Sequence, residues 1–428
     1  MINRNYDFQI IEDFVAAAEE ELREIFISRS NKVYIKLKKI LSVFKEEKLS
    51  SSHFHSSTGI GYDDISREKI DKIFAKLFLA EKAAVRMQFV SGTHAISAVL
   101  FGVLRPGDTM VSLTGNPYDT LEEVIGIRGN SKGSLRDFGI NYKQLELIPD
   151  NSYFERIENF IKVNSCKLVF IQKSCGYSWR KSLQNNEIRR ICSIVHSINP
   201  KCICFVDNCY GELVEEIEPI SCGANIIAGS LIKNLGGTIV PAGGYIAGDS
   251  ELVELACCRL TAPGIGSGAG INFGLGRLVL QGLFLSPQMV CESLNCADLI
   301  ASIFSKFGYE VLPSPGSYRS DTIQAIKLKD PFLVKKICQA FQHASPVDSF
   351  LNVMPSPMNG YDSNLIMSGG TFIEGSTSEF SADSPMRDPY NLFVQGGTHV
   401  SHVKIALIEL IYQLLEENLI SKDLLKLP

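Results

Sequence analysis

The sequence predicts an α/β protein, with a large domain on a parallel or mostly parallel sheet covered by helices on both faces and a smaller C-terminal α+β domain. Three observations predict it. From about residue 66 to 285, helical stretches alternate with short β-branched runs, "KLVFIQ" at 167, "CICFVD" at 202, "ANIIAG" at 224 and "GGYIAG" at 243, and such alternation builds parallel sheets. After about 286 the order becomes helix, strand, strand, helix, strands and closing helix. A chain of 428 residues is also long enough for two domains with sizeable cores.

In chain order, residues 7 to 48 read as helix, because "EDFVAAAEEELREIF" and "NKVYIKLKKILSVFKEE" carry apolar residues at helical spacing. "KLSSSHFHSSTGIGYDD" breaks the pattern with Ser and Gly, so an N-terminal helical arm is expected over 1–60. The large domain is expected over 61–285. Within it, "FVSGTHAISAVLFGVLRPGDTMVSL" (89–113) reads as loop, helix, turn and strand. Ser91 is placed to cap the helix ahead of Ala95, Ile96, Val99 and Leu100, and Pro106-Gly107 ends it. The smaller domain, over 286–428, follows from the strands "YEVLP" and "TIQAIKL", the helix "FLVKKICQAFQ", the strands "LIMSGGTF" and "NLFVQGG", and a last helix.

Composition removes several function classes. A formal charge of −5 gives no electrostatic reason to expect nucleic acid, and 45% hydrophobic with 21% charged residues is a globular balance. No apolar run approaches the ~18 residues of a membrane span, and "MINRNYDFQIIEDF" lacks the apolar core of a signal peptide. A cytoplasmic protein is therefore expected. The twelve cysteines form no Cys-x-x-Cys and the seven histidines are scattered, so buried free thiols are expected and no metal site.

Four stretches carry chemistry. The helix start at Ser91, Gly92 and Thr93 can gather backbone N–H groups on an anion such as a phosphate; taken alone it is a plain helix cap. Asp207 ends the apolar run "CICFVD", where open α/β sheets hold functional residues; alone it is a cap for the next helix. Lys233, in "GSLIKNLGG" (229–237), lies 26 residues further on (233 − 207 = 26), on a neighbouring strand end; alone it is a solvated loop lysine. Tyr118, in "TGNPYDTLEE", can stack on a cationic ring, or be a turn tyrosine. Together they match a pyridoxal 5'-phosphate site, in which a lysine amine forms a Schiff base, an acid keeps the pyridine nitrogen protonated and a helix N-terminus holds the phosphate.

The ordered set "SGTHAI", "NPYDT", "VDNCYGE" and "SLIKNLGG" resembles the fold type I pyridoxal phosphate enzymes of cysteine and methionine metabolism. It is most similar to the aluminium-resistance or methionine gamma-lyase-like branch, related to cystathionine beta-lyase. The segments "GYDDISREKIDKIFAKLFLAEKAAVRMQFVSGTHAI", "CGYSWRKSL", "GGTIVPAGGYIAG" and "SADSPMRDPYNLFVQGG" extend the likeness over about 55–405. The resemblance implies a seven-stranded, mostly parallel sheet in the large domain. It implies that Gly92 and Thr93 offer backbone donors to the phosphate beside Ser91, that Ser230 adds a hydroxyl, that Tyr118 stacks and serves catalysis, that Asp207 holds the ring nitrogen and that Lys233 carries the Schiff base. It further implies a homodimer or homotetramer with shared active sites, in which Tyr62 and Arg67 complete the phosphate site of a neighbouring subunit.

Two positions depart from the family pattern. Ile232 stands where a threonine is usual, and the cofactor-hydroxyl contact falls to Tyr177, Ser178 or Arg180. Arg387, in "SPMRDPYN", is the candidate for a substrate carboxylate, with a surface ion pair to Asp383 or Asp388 as its plainer reading. "APGIGSGAGINFG" (262–274) lacks the preceding strand and glycine spacing of a dinucleotide fingerprint and reads as a flexible active-site loop. The implied activity is a lyase that eliminates a thiol from an amino acid of cystathionine, methionine or cysteine type. Transamination, aldol cleavage or a non-catalytic protein of the same fold are the alternatives.

Overall fold

A computed structural model describes residues 8–129, 132–148, 150 and 152–426. The first seven residues of the expected arm lie outside the described residues. In chain order come α1 (Phe8–Glu20), α2 (Arg23–Glu46), α3 (Ile65–Phe78), β1 (Lys82–Arg86), α4 (Gly92–Val103), β2 (Thr109–Ser112), α5 (Asp119–Ile125), β3 (Asn141–Gln144), α6 (Tyr153–Val163), β4 (Leu168–Gln172) and α7 (Asn185–Ile198). They are followed by β5 (Ile203–Asp207), β6 (Ile226–Ser230), β7 (Gly244–Gly248), α8 (Ser250–Leu260), α9 (Gly276–Lys306), β8 (Glu310–Leu312), β9 (Ile323–Lys327), α10 (Pro331–His343), β10 (Leu365–Ser368), β11 (Ser381–Pro385), β12 (Asn391–Gln395) and α11 (Val400–Glu416).

The chain forms two bodies. The larger, Lys36–Gly176 with Ser182–Ser286, holds a seven-stranded sheet in the order β1-β7-β6-β5-β4-β2-β3. Only β7 runs against its neighbours β1 and β6; the remaining pairings are parallel. Every residue of β4, β5, β6 and β7 is buried. A parallel sheet covered on both faces has no solvent side to alternate towards, which is why "LVFIQ" and "ICFVD" are almost continuously apolar. Ile96, Val99 and Leu100 of α4 share a core with Phe170, Phe205, Ile226 and Ile246 of the sheet, so the α4 N-terminus is seated by packing.

The smaller body takes the chain through Ile35, Tyr177–Lys181 and Pro287 onward. Its five-stranded sheet is antiparallel throughout, in the order β10-β11-β12-β9-β8. The expected arm over 1–60 is divided between the bodies. Its first helix is a core element of the smaller one: Ile11, Phe14, Val15 and Ala18 are buried with Phe304, Phe307, Leu407 and Leu410. The rings of Phe14 and Phe307 stack with centroids 6.0 Å apart, and truncating such a ring to alanine costs about 3–5 kcal/mol. Helical spacing gave α1 an apolar face without naming its partner. Strand β11 was not visible in "SADSP", whose polar residues are all buried and show no apolar alternation.

Candidate active site

Lys233, Asp207, Tyr118 and the first turn of α4 converge at the carboxyl ends of β5 and β6. Asp207 is the last residue of β5, paired with Gln172 of β4 and Ala228 of β6. It is 4% exposed, and its Oδ1 accepts the Cys209 N–H at 3.1 Å. Ser230 ends β6, is buried, and its hydroxyl accepts the Ile232 N–H at 3.3 Å. Three residues later comes Lys233, partly buried, with Nζ 3.8 Å from the ring centroid of Tyr210.

The Gly-Gly step after Lys233 has a steric cause. A Cβ on Gly236 would lie 1.9 Å from the Leu231 carbonyl oxygen, and one on Gly237, which sits at φ +53°, would lie 2.3 Å from that of Gly282. The chain can double back beneath the lysine only without side chains there.

Helix α4 meets these strand ends. Ser91 caps it, accepting the His94 N–H at 3.1 Å, and a helix start leaves the Gly92 and Thr93 amides without intrahelical acceptors. A Cβ on Gly92 would approach Cys209 Sγ to 3.2 Å and Ser230 Cβ to 3.3 Å. The helix dipole therefore reaches Ser230 at close range because position 92 is bare. Tyr118 precedes α5 and is fixed at both ends, its N–H donating to Gln172 Oε1 at 2.9 Å and its hydroxyl to Thr93 Oγ1 at 2.9 Å. Burial, reinforced by the Asp207 charge, pushes the Tyr118 phenol well above its ordinary pKa, so it stays neutral. Burial likewise pushes up the Cys209 thiol, again with Asp207 beside it.

Sequence reasoning overlooked what surrounds Lys233. Burial works against the Lys233 ammonium, yet Cys209, Tyr210 and Asp207 outweigh it and raise its pKa above the ordinary lysine value. Asn234 donates through Nδ2 to the carbonyls of Tyr210 (3.0 Å) and Glu212 (2.9 Å), tying the lysine segment to the loop after β5. Glu212 is fully buried; Oε1 accepts the Tyr245 hydroxyl at 2.9 Å and Oε2 has no partner. Burial pushes its carboxyl up to about 8. Tyr210 and Glu212 stand in the quoted "VDNCYGE", and only the loop's fold shows that both face the lysine.

Tyr62 and Arg67 differ in exposure. Tyr62 is 60% exposed. Arg67 is 2% exposed, and its guanidinium donates to the carbonyls of Gly61 and, at 3.0 Å, Gly270 of its own chain. Within its own chain this guanidinium braces the Tyr62 strap against the loop at 262–274. That loop is pinned rather than flexible, since Arg86 donates to Ser267 O at 3.1 Å, Gln88 to Ile271 O at 2.8 Å, and the Gly270 N–H to Ile60 O at 2.8 Å.

Arg387 belongs to the smaller body, exposed on the turn between β11 and β12. Tyr177, Ser178 and Arg180 group with the same body, where the Tyr177 hydroxyl donates to Asp383 Oδ2 at 3.3 Å. All twelve cysteines are free and eleven are buried. Among the described residues no helix is long and apolar enough to cross a membrane.

The chain is 43% identical over 384 residues to the uncharacterized protein YnbB of Bacillus subtilis (strain 168), covering 89% of this chain and 91% of that one. It superposes with a TM-score of 0.89 on the carbon-sulfur lyase involved in aluminum resistance from Clostridium novyi NT, at 44% identity over 94% of this chain and 96% of that one. The pyridoxal-5'-phosphate dependent protein YhfS of Escherichia coli shares the fold alone, at 15% identity and a TM-score of 0.61 over 89% of this chain and 96% of that one. The fold is fold type I. Residues 11–415 match the family model for methionine gamma-lyase, and the chain belongs to that family.

Proposed function

We propose that this chain is a pyridoxal 5'-phosphate-dependent carbon–sulfur lyase that eliminates a thiol from a sulfur-containing amino acid. The observation that carries the reading is the convergence of Lys233, Asp207 and the bare N-terminus of α4 on two adjacent strand ends. The donor set fits the group: a helix start bared at Gly92 and flanked by the Ser91 and Ser230 hydroxyls suits a phosphate, and a buried carboxylate suits a cationic ring nitrogen. When bound, the cofactor supplies an aldehyde for amine attachment and a ring that accepts the electron pair released at the substrate Cα.

The chain's own residues do the rest. Gly92 and Thr93 offer amide donors, and Ser91 and Ser230 hydroxyls, to the phosphate. Asp207, oriented by the Cys209 N–H, holds a proton at the ring nitrogen through a charge-assisted hydrogen bond. Tyr118, locked by Thr93 and Gln172, presents its ring for stacking. Lys233 removes the proton from the substrate Cα. The family resemblance assigns the substrate carboxylate to Arg387 and brings Tyr62 to a neighbouring subunit's phosphate site in a homodimer or homotetramer. Water enters and the products are a thiol, ammonia and a 2-oxo acid.

Incubating the loaded enzyme separately with cystathionine, methionine, cysteine and homocysteine tests this. Thiol and ammonia should appear in equal amounts with no second keto acid added. Turnover that requires a keto acid acceptor would instead make the protein an aminotransferase.

A further inference from the structure

The lysine at the centre of this site is held by a side chain that nothing so far gives a role. Tyr210 lies three residues past Asp207 in the loop that leaves β5, and its backbone sits at φ +70°, a left-handed conformation that a bulky residue seldom adopts. The strain aims its ring at one atom: Lys233 Nζ lies 3.8 Å from the ring centroid, within cation–π range. Asn234 clamps the arrangement from the lysine's side through the Tyr210 and Glu212 carbonyls. Strained residues whose surroundings over-determine them cluster where strain serves a site.

We propose that Tyr210 is a second catalytic side chain of this site, holding the Lys233 nitrogen against its ring face whenever that nitrogen carries a proton. A lysine that removes a proton from carbon must accept it as an ammonium and later return it. The ring quadrupole favours the ammonium form and fixes its place between transfers. The other ionisable groups facing Lys233 are Asp207 at the end of β5, Cys209 and Glu212 in the same loop, and Tyr118 ahead of α5. Burial holds Cys209 and Tyr118 neutral while Glu212 ionises near 8, so Asp207, Glu212 and the Tyr210 ring set the balance around the lysine.

The proposal rests on Lys233 being the reactive amine, and its test is independent of cofactor chemistry. In the full-length chain freed of cofactor by dialysis against hydroxylamine, pulsed reductive methylation followed by peptide mass spectrometry gives the extent of Lys233 modification at each pH. The midpoint of that profile reports the lysine's proton affinity, whereas a change in accessibility alters only its plateau. Tyr210→Leu, which keeps the strained backbone but removes ring and hydroxyl, should lower the midpoint by about one pH unit, a tenfold rise in neutral amine at fixed pH. Tyr210→Phe, which keeps the ring face, should stay close to wild type. An unchanged midpoint in Tyr210→Leu overturns the proposal. If that variant does not fold, Tyr210→Asn, which tolerates the left-handed backbone, decides it, a midpoint equal to wild type being the refuting result. Attachment of cofactor to another lysine would overturn the proposed function instead, and the two failures are separately visible.

Discussion

Glu212 should make this protein lose stability as pH rises towards 8, and Glu212→Gln should remove that loss. The carboxyl is fully buried, with one oxygen receiving the Tyr245 hydroxyl and the other unpartnered. Burial lifts it from 4.5 to about 8. Below 4.5 both folded and unfolded chains hold the proton and there is no cost. Above 4.5 the unfolded chain releases it while the folded one keeps it, so stability falls with pH until the folded group ionises near 8. Over that interval of about 3.5 pH units, at ~1.4 kcal/mol per unit, the loss approaches about 5 kcal/mol. Glutamine is neutral in both states and keeps an oxygen for Tyr245, so any packing cost is the same at every pH. Urea denaturation of both proteins at pH 5, 6, 7 and 7.5, followed by circular dichroism, gives the difference directly. The variant should gain on wild type by roughly 1.4 kcal/mol per unit. A difference that does not change with pH would show that Glu212 is ionised in the folded chain and would refute the reasoning.

Other outcomes follow from the same geometry. Asp207→Asn should retain cofactor yet lose two or more decades of turnover, about 2.7 kcal/mol or more of barrier, in a steady-state thiol-release assay; near wild-type turnover would reduce Asp207 to a loop cap. Arg67→Met should speed proteolysis in the 57–63 strap and the 262–274 loop, because the Gly61 and Gly270 carbonyls lose their shared donor at about 1.5–3 kcal/mol per charged hydrogen bond; unchanged proteolysis would show that Arg67 does not brace these segments. Mixing inactive Tyr62→Ala and Lys233→Ala subunits should restore part of the activity, since one hybrid site would hold both native residues; no recovery despite proven subunit exchange would confine Tyr62 to its own chain.

Much of the larger body could be read from sequence because strands covered on both faces are almost continuously apolar, and β4 to β7 are buried along their whole length. Asp207, Lys233 and the Ser91 cap could be read because strand ends and helix starts are local features. Contacts between distant segments left no local mark. Nothing in "SREK" says that Arg67 turns back on Gly61 and Gly270, and nothing in "DNCYGE" says that a left-handed tyrosine covers the lysine. Strand β11 stayed hidden because its polar side chains are buried in place of an apolar pattern, and α1 because an amphipathic helix shows its face but not its partner.

The central claim is that Lys233 is the amine that takes the cofactor, and borohydride reduction of the loaded enzyme followed by peptide mapping tests it most directly. Lys173 is the instructive competitor, being fully buried, but its Nζ is engaged by Asn185 Oδ1 at 2.7 Å and Glu215 Oε2 at 2.8 Å. One reduced phosphopyridoxyl group is expected, on Lys233, with Lys233→Ala folded and unlabelled. A label on Lys173 or Lys181 would contradict it.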